Sequence, residues 1–227
     1  MKRLVQPELL DTLPPGDPRA LRSRRDLRRV NWWMRHPAIM ARALQNNFSA
    51  RPPRQITELG AGDGNFLLQV ARKINLSNVH ATLLDLQKNV SAETLAAFSQ
   101  LGWRAEVVVA DVFDWPQTSG AGEAVIANLF LHHFADARLA VLLQKISERT
   151  KLFIAVEPRR VALARVCGGL LWLIGCNDVT RHDAVVSVRA GFFGDELSAL
   201  WPDKQNWRLT ERRAGPFSHL FIAQKIS

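Results

Sequence analysis

The sequence predicts an α/β protein built on a doubly wound, mostly parallel sheet. Three observations carry this expectation. From residue 54 onward, short strand-like runs alternate with amphipathic helical runs, the rhythm of consecutive β-α-β units. The strand runs are nearly continuous in apolar residues, as expected when helices cover both faces of a sheet. The first of them ends in a glycine-rich turn, 56-ITELGAGDGNF-66, at the place where such sheets bind ligands.

Each element follows from the local pattern. Residues 1–18 hold four prolines and read as an irregular lead-in. From Asp17-Pro18 the pattern turns helical, with Leu27, Val30 and Met34 on one face and arginines over the rest. Pro37 opens a second helix whose Met40, Leu44 and Phe48 share a side. Arg51-Pro52-Pro53-Arg54 ends it as a hinge. Residues 1–53 are therefore expected to form a lead-in and helical cap.

The sheet domain is expected over 54–227. QITELG, VHATLLD, RAEVVVA, EAVIANL and KLFIAVEP read as strands. NFLLQVARKI, SAETLAAFSQLG (Ser91 as its cap) and ADARLAVLLQKISER (Asp136 as its cap) read as the helices between them. NWRLTERRA and FSHLFIAQKI, separated by Gly215-Pro216, read as a closing hairpin. Before that hairpin lies a mostly helical, apolar insert, about 159–204.

Composition bounds the function. The chain has 227 residues, enough for one large domain with a sizeable core. Its net charge of +9 suggests an anionic partner, whether nucleic acid, a membrane face or an acidic small molecule. Cys167 and Cys176 lack metal-knuckle spacing, so no metal is expected, and they read as buried thiols. The N-terminus has no continuous apolar stretch of the secretory type. The most apolar run, 161–176, is short for a membrane span and is broken by Arg165. A cytoplasmic protein is expected, with peripheral contact to an anionic membrane as an open alternative.

Gly60, Gly62 and Gly64 fall on alternate positions beside Glu58 and Asp63. Glycine costs stability inside regular structure, so three in one turn suggest close approach of a ligand to the main chain. The spacing is not the G-x-G-x-x-G of a dinucleotide fold, which speaks against a nicotinamide oxidoreductase. Asp85 ends the second strand and Asp111 the third. A carboxylate at the first can accept bonds from both ribose hydroxyls, and one at the second can receive an adenine amine. Acids at three consecutive strand ends suit a nucleoside without phosphates, since they would repel a pyrophosphate.

E-L-G-A-G-D-G, L-L-D, A-D-V and A-N-L-F-L-H-H-F, in that order, resemble the class I S-adenosylmethionine-dependent methyltransferases from about residue 54 to the C-terminus. The resemblance implies a Rossmann-like sheet of order 3-2-1-4-5-7-6 with strand 7 antiparallel. It implies S-adenosylmethionine as cofactor, held by Glu58, Gly60, Ala61, Gly62 and Gly64, with Gly60 and Gly62 lining its methionine part. Asp85, with Leu86 beside it, would take the ribose; Asp111, with Val112, the adenine; Asn128 the amino-acid end. Within the family, the small-molecule branch acting on quinones, phenols and polyketide or lipid products is the most similar. The helical cap and the segments 156-VEPRR-160 and 191-GFFGDEL-197 resemble methyltransferases found beside type III polyketide synthases.

Methyl transfer to a hydroxyl also needs a base, and histidine suits neutral pH. His132 and His133 follow the fourth strand, where one of the two can face the site. They also read as polar residues ahead of the next helix. His182 with Asp183 is a third candidate; the same residues also read as a helix start, with Thr180 or Asp183 as cap. Glu157 can line an acceptor pocket, while Arg159 and Arg160 read as solvated or ion-paired. The run 161–176 reads as a lid over an apolar acceptor or as core, and Trp32-Trp33 as core in preference to part of the same pocket. A small aromatic or lipid-like acceptor, methylated on oxygen in preference to carbon, is the expected substrate. The arginine-rich helix leaves methylation of RNA or protein as the alternative, although no N-P-P-Y-type sequence or RNA-binding module accompanies it.

Overall fold

The computed structural model describes residues 2–14, 16–48, 52–115, 123–164 and 171–226. Its strands are β1 (Gln55–Leu59), β2 (Val79–Asp85), β3 (Trp103–Val109), β4 (Ala124–Asn128), β5 (Leu152–Pro158), β6 (Trp207–Arg213) and β7 (Ser218–Lys225). They form one sheet in the order β3-β2-β1-β4-β5-β7-β6. The first five run parallel, and β7 lies antiparallel to both β5 and β6. The implied topology is present. The order reverses at β1, where a crevice opens at the carboxyl ends of the strands.

The apolar strands feed two cores, one on each face. β4 sends Ala124 and Ile126 to the first and Val125 and Ala127 to the second. β5 divides Leu152, Ile154 and Val156 from Phe153 and Ala155 in the same way. This period of two explains why residues 124–127 and 152–156 are apolar without interruption. The helices are α1 (Leu9–Thr12), α2 (Pro18–Trp33), α3 (His36–Asn47), α4 (Asn65–Ile74), α5 (Ala92–Gln100), α6 (Asp136–Ser147), α7 (Asp178–Ala190) and α8 (Glu196–Leu200). α3 and α4 cover the first face, while α6 and α8 cover the second.

Met40 and Leu44 of α3 are fully buried in the first core, so this helix is a layer of the domain. α2 stands further out and is fixed by polar contacts. Ser23 Oγ lies 2.9 Å from Thr180 Oγ1, and Asp26 accepts from the Asn177 N–H at 2.9 Å. Asp17 caps α2 by accepting from Arg19 N–H, and Ser91 caps α5 as expected.

Several expectations need correction. The lead-in is not irregular throughout: it contains α1 and a buried Glu8. α7 is capped by Asn177, whose side chain accepts from Thr180 N–H; Thr180 and Asp183 lie inside the helix. Asp136 occupies the first turn of α6 without capping it. Trp32 and Trp33 are 76% and 64% exposed, because they share the outer face of α2 with arginines. Arg51 of the hinge, and residues 165–170 with Cys167, lie outside the described residues; Cys176 is buried.

His36, fully buried at the start of α3, ties the cap to the sheet. Its Nδ1–H donates to Asn128 Oδ1 at 2.8 Å, and its Nε2 accepts from Ser218 Oγ at 2.8 Å. Burial holds its pKa down at about 4, against the pull of Asn128 and Glu157, so the ring is neutral. His36→Ala would strand the buried Ser218 and the half-buried Asn128, and urea denaturation should register a loss of about 2–4 kcal/mol. A loss under about 0.5 kcal/mol would show that the bridge does not hold the cap.

Candidate active site

The glycine turn is dictated by backbone geometry. Gly60, Gly62 and Gly64 all adopt positive φ, at 67°, 56° and 72°. Side chains disfavour this region by about 1–2 kcal/mol each. The alternate spacing is therefore the signature of a loop passing through left-handed residues at every second position. Gly60 has a second reason: an added Cβ would lie 2.3 Å from Cδ2 of Phe130. Gly62 has open space around it. Ala61 is buried and its N–H donates to Leu84 O, so β2 holds the loop.

The acids stand at the ends of adjacent strands. The Leu59–Leu84 register brings the glycine loop and Asp85 out of the sheet side by side. Asp85 accepts from Gly62 N–H at 2.8 Å and from Gln87 N–H at 2.9 Å. Leu86 beside it is 69% exposed, an apolar surface at the lip of the crevice. Asp111 caps the turn Val112–Asp114 by accepting from Phe113 N–H, and Val112 is buried. The carboxylates of Asp85 and Asp111 each retain lone pairs for a ligand.

Glu58 differs from both. It is buried within β1, and its Oε2 has no hydrogen-bond partner among the described residues. Burial, together with the nearby Asp63 and Asp85, pushes its pKa well above the usual carboxylate range. A buried carboxyl with an unpaired oxygen calls for a cationic or donor group. Asp63 is turned outward, pairing with Arg28 of α2 at 2.9 Å.

Beyond β4 the chain turns sharply. Leu129 adopts φ 52°, an uncommon conformation for this side chain and a sign of constraint at a site. Glu157, at the end of β5, shapes the turn that follows. Its Oε1 accepts from the N–H groups of Phe130 and Leu131 at 3.0 and 2.8 Å, and its Oε2 from His132 Nδ1 at 2.8 Å. Glu157 is fully buried in this framework rather than facing an open pocket.

His132 is buried between two carboxylates, with Glu8 Oε1 3.2 Å from its Nε2. Burial opposes its charge, but Glu157 and Glu8 outweigh burial and raise its pKa to about 9. Burial likewise opposes the charge of Glu8, yet His132 and Ser187 bring its pKa to about 2. His132 is thus a cation at neutral pH. His133 is more open, with its side chain 25% exposed and Nδ1 3.3 Å from Asp11 Oδ2. His182 is half exposed and pairs with Asp183, which also accepts from the N–H groups of Leu9 and Leu10. Asn128 sits by the crevice, held by His36 and by Asn31 of α2.

Residues 3–12 form a strap across this region. Arg3 donates to the carbonyls of Ala190 and Phe134, both at 2.8 Å, and pairs with Asp136 at 2.6 Å. Leu4 N–H donates to Arg189 O. Glu8 closes the strap onto His132 and Ser187. Sequence reasoning missed Glu8, Asn31 and His36, whose partners lie 92 to 182 residues away or, for Glu8, 124 and 179. Arg160 is ion-paired with Glu196, and Arg159 stacks over Phe193. A hollow of about 500 Å³ lined by Asn78, His80, Ser99 and Arg104 lies at the opposite ends of β2 and β3, away from the acids.

Glu8 ionises in the fold well below its ordinary value of 4.5, so its contribution is complete above that value and is lost as pH falls through about 2. His132 titrates well above 6.5, so its contribution is complete below that value and is lost as pH rises through about 9. The strap should hold tightest between the two ordinary values. Glu8→Gln should speed amide exchange in residues 3–12 roughly ten- to hundred-fold within that window. Unchanged exchange would mean that Glu8 does not hold the strap.

Residues 56–151 match the family model described as a methyltransferase domain. No curated protein gives a significant sequence match. Among solved structures, the chain is similar to the plantazolicin methyltransferase BpumL in complex with SAH, at 13% identity and TM-score 0.68, covering 93% of this chain and 92% of that one. It is similar to an O-methyltransferase family protein from Burkholderia thailandensis, at 21% identity and TM-score 0.61, covering 93% of this chain and 61% of that one. It is also similar to the mitomycin 7-O-methyltransferase MmcR, at 18% identity and TM-score 0.62, covering 95% of this chain and 60% of that one. Residues 56–151 thus carry a methyltransferase domain, and the chain as a whole has the fold of the methyltransferase structures it resembles.

Proposed function

We propose that the protein is an S-adenosylmethionine-dependent methyltransferase that methylates a small apolar acceptor, preferring a hydroxyl of a phenolic, quinone-like or polyketide- or lipid-derived compound. The single observation that carries the reading is Glu58: a buried carboxyl with an unpaired oxygen behind a loop of left-handed glycines. The residues fit this cofactor. Its ammonium and sulfonium groups are cations, and Glu58 is a buried acid lacking one. Gly62 leaves the loop open to close approach, and the rim acids Asp85 and Asp111 suit ribose hydroxyls and an adenine amine. The match of residues 56–151 to a methyltransferase domain supports the same reading.

When bound, S-adenosylmethionine supplies a methyl group already activated on a positively charged sulfur. The protein's work is then alignment and exclusion of water, worth on the order of 7–11 kcal/mol. In this reading Gly60, Ala61, Gly62 and Gly64 bear on the methionine part. Leu86 and Val112 flank the nucleoside, and Asn128, positioned by His36, meets the amino-acid end. Phe130 and Phe134, packed edge to face, supply apolar surface for the acceptor.

The base falls to His133. His132 is charged at neutral pH and has both ring nitrogens engaged, so it positions the strap rather than accepting a proton. His133 can donate Nδ1–H to Asp11, leaving Nε2 to take the acceptor's proton while Asp11 steadies the resulting cation. His182 and Asp183 serve the attachment of α1 to α7. A cytoplasmic, membrane-peripheral location and an apolar acceptor drawn from lipid belong to the same reading.

Glu58 must ionise to pair with the cofactor, and its folded pKa is raised. Binding should therefore release a proton at pH values where the free protein holds Glu58 protonated, read by calorimetry across a pH series in buffers of different ionisation heat. Glu58→Gln should abolish that release, weaken binding at least ten-fold and stabilise the free protein, since it removes the cost of ionising a buried acid as pH rises. Tight binding by this variant would contradict the reading. Once an acceptor is in hand, His133→Ala should cut turnover roughly 10²–10⁴-fold with cofactor affinity unchanged; near-normal turnover would remove His133 as base.

A further inference from the structure

The outer face of α2 carries a surface that methyl transfer does not use. At 3.6 residues per turn, Arg22, Arg25, Arg29, Trp32 and Trp33 fall within a sector of about 100°. All five are exposed. Ala20 and Ser23, on the opposite side, are buried. Arg29 donates to Ile174 O at 2.7 Å and Arg22 to Gly175 O at 3.2 Å, which lays the turn Leu171–Ile174 along this face. That turn adds Trp172 at 55% exposure and Leu173 at 63%. Trp32 and Trp33 stand at 76% and 64%. Three tryptophans and a leucine are thus held in water beside arginines; Arg22 and Arg29 bond to carbonyls, and Arg29 also pairs with Asp26 at 3.4 Å.

We propose that this surface docks the protein on an anionic lipid bilayer. Tryptophan favours the boundary between headgroups and acyl chains, and arginine is drawn to anionic headgroups at the same depth. The charge selects the occupant. A second copy would set these arginines against their own counterparts in a two-fold contact, so self-association is opposed. The net charge of +9 adds attraction to the same surface. No helix among the described residues is long and apolar enough to cross a membrane; the exposed arginines and tryptophans suit contact with the bilayer surface. The inference rests on the proposed function only for its purpose. The other side of α2 reaches the site through Arg28 to Asp63 and Asn31 to Asn128, so docking would set the crevice close to lipid, where a lipid-like acceptor resides.

The test uses the full-length protein and vesicles of phosphatidylcholine with or without phosphatidylserine. Co-sedimentation is expected with the anionic vesicles, falling as salt is raised. Tryptophan emission should be quenched by brominated acyl chains. Trp32→Ser with Trp33→Ser should lower vesicle affinity at least ten-fold, and Arg25→Glu roughly five-fold or more, with S-adenosylmethionine affinity unchanged in both. Four results would overturn the proposal: no vesicle binding, equal binding without phosphatidylserine, salt-sensitive binding to single-stranded RNA in preference to vesicles, or burial of the tryptophans in a dimer seen by light scattering. Cofactor binding is read separately, so a failure here leaves the methyltransferase reading standing, and a protein that docks without binding cofactor overturns that reading alone.

Discussion

A carboxyl group that cannot be comfortable where it lies is the constraint on which the site depends. Glu58 is held inside β1 by the parallel sheet, with apolar neighbours on both faces and acids beyond it. Leaving one of its oxygens unpaired costs the free protein about 1–3 kcal/mol. Natural sequences retain such costs where a ligand relieves them. The glycine loop is shaped to the same end, since left-handed residues at Gly60, Gly62 and Gly64 keep the main chain low in front of this carboxyl.

A second carboxylate does the opposite work on the far side of the crevice. Glu157 is as deeply buried, yet three N–H groups and the His132 ring surround it, and its pKa is lowered once these outweigh burial. Two buried acids near the carboxyl ends of β1 and β5, with β4 between them, thus have opposite characters. Glu157 is satisfied and fixes the turn carrying Phe130, His132 and His133. Glu58 is unsatisfied and awaits a partner. Divergent environments for like groups are a mark of sites that divide labour.

Much of this was legible in the sequence for a physical reason. Strands covered on both faces are apolar at most positions, so β4 and β5 announce themselves, and β1 and β2 do so through Ile56, Leu59, Leu83 and Leu84. Alternate glycines write the left-handed loop directly, and Asp85 and Asp111 stand where strand runs stop. What could not be read were pairings between distant residues. Glu8 meets His132 across 124 positions from within a proline-rich segment that has no periodicity. The orientation of α2 is set by Ser23 and Asp26 against Thr180 and Asn177, contacts of ordinary surface residue types. That orientation, and not hydrophobicity, decides that Trp32 and Trp33 face water.

The most direct measurement is a carbon-13 NMR titration of the Glu58 side-chain carboxyl, with and without S-adenosylmethionine. In the free protein this carbon should titrate well above the usual carboxylate range, and with the cofactor it should be ionised at neutral pH. An ordinary titration in the free protein, or one that the cofactor leaves unchanged, would contradict the role given to Glu58 and with it the reading of the crevice.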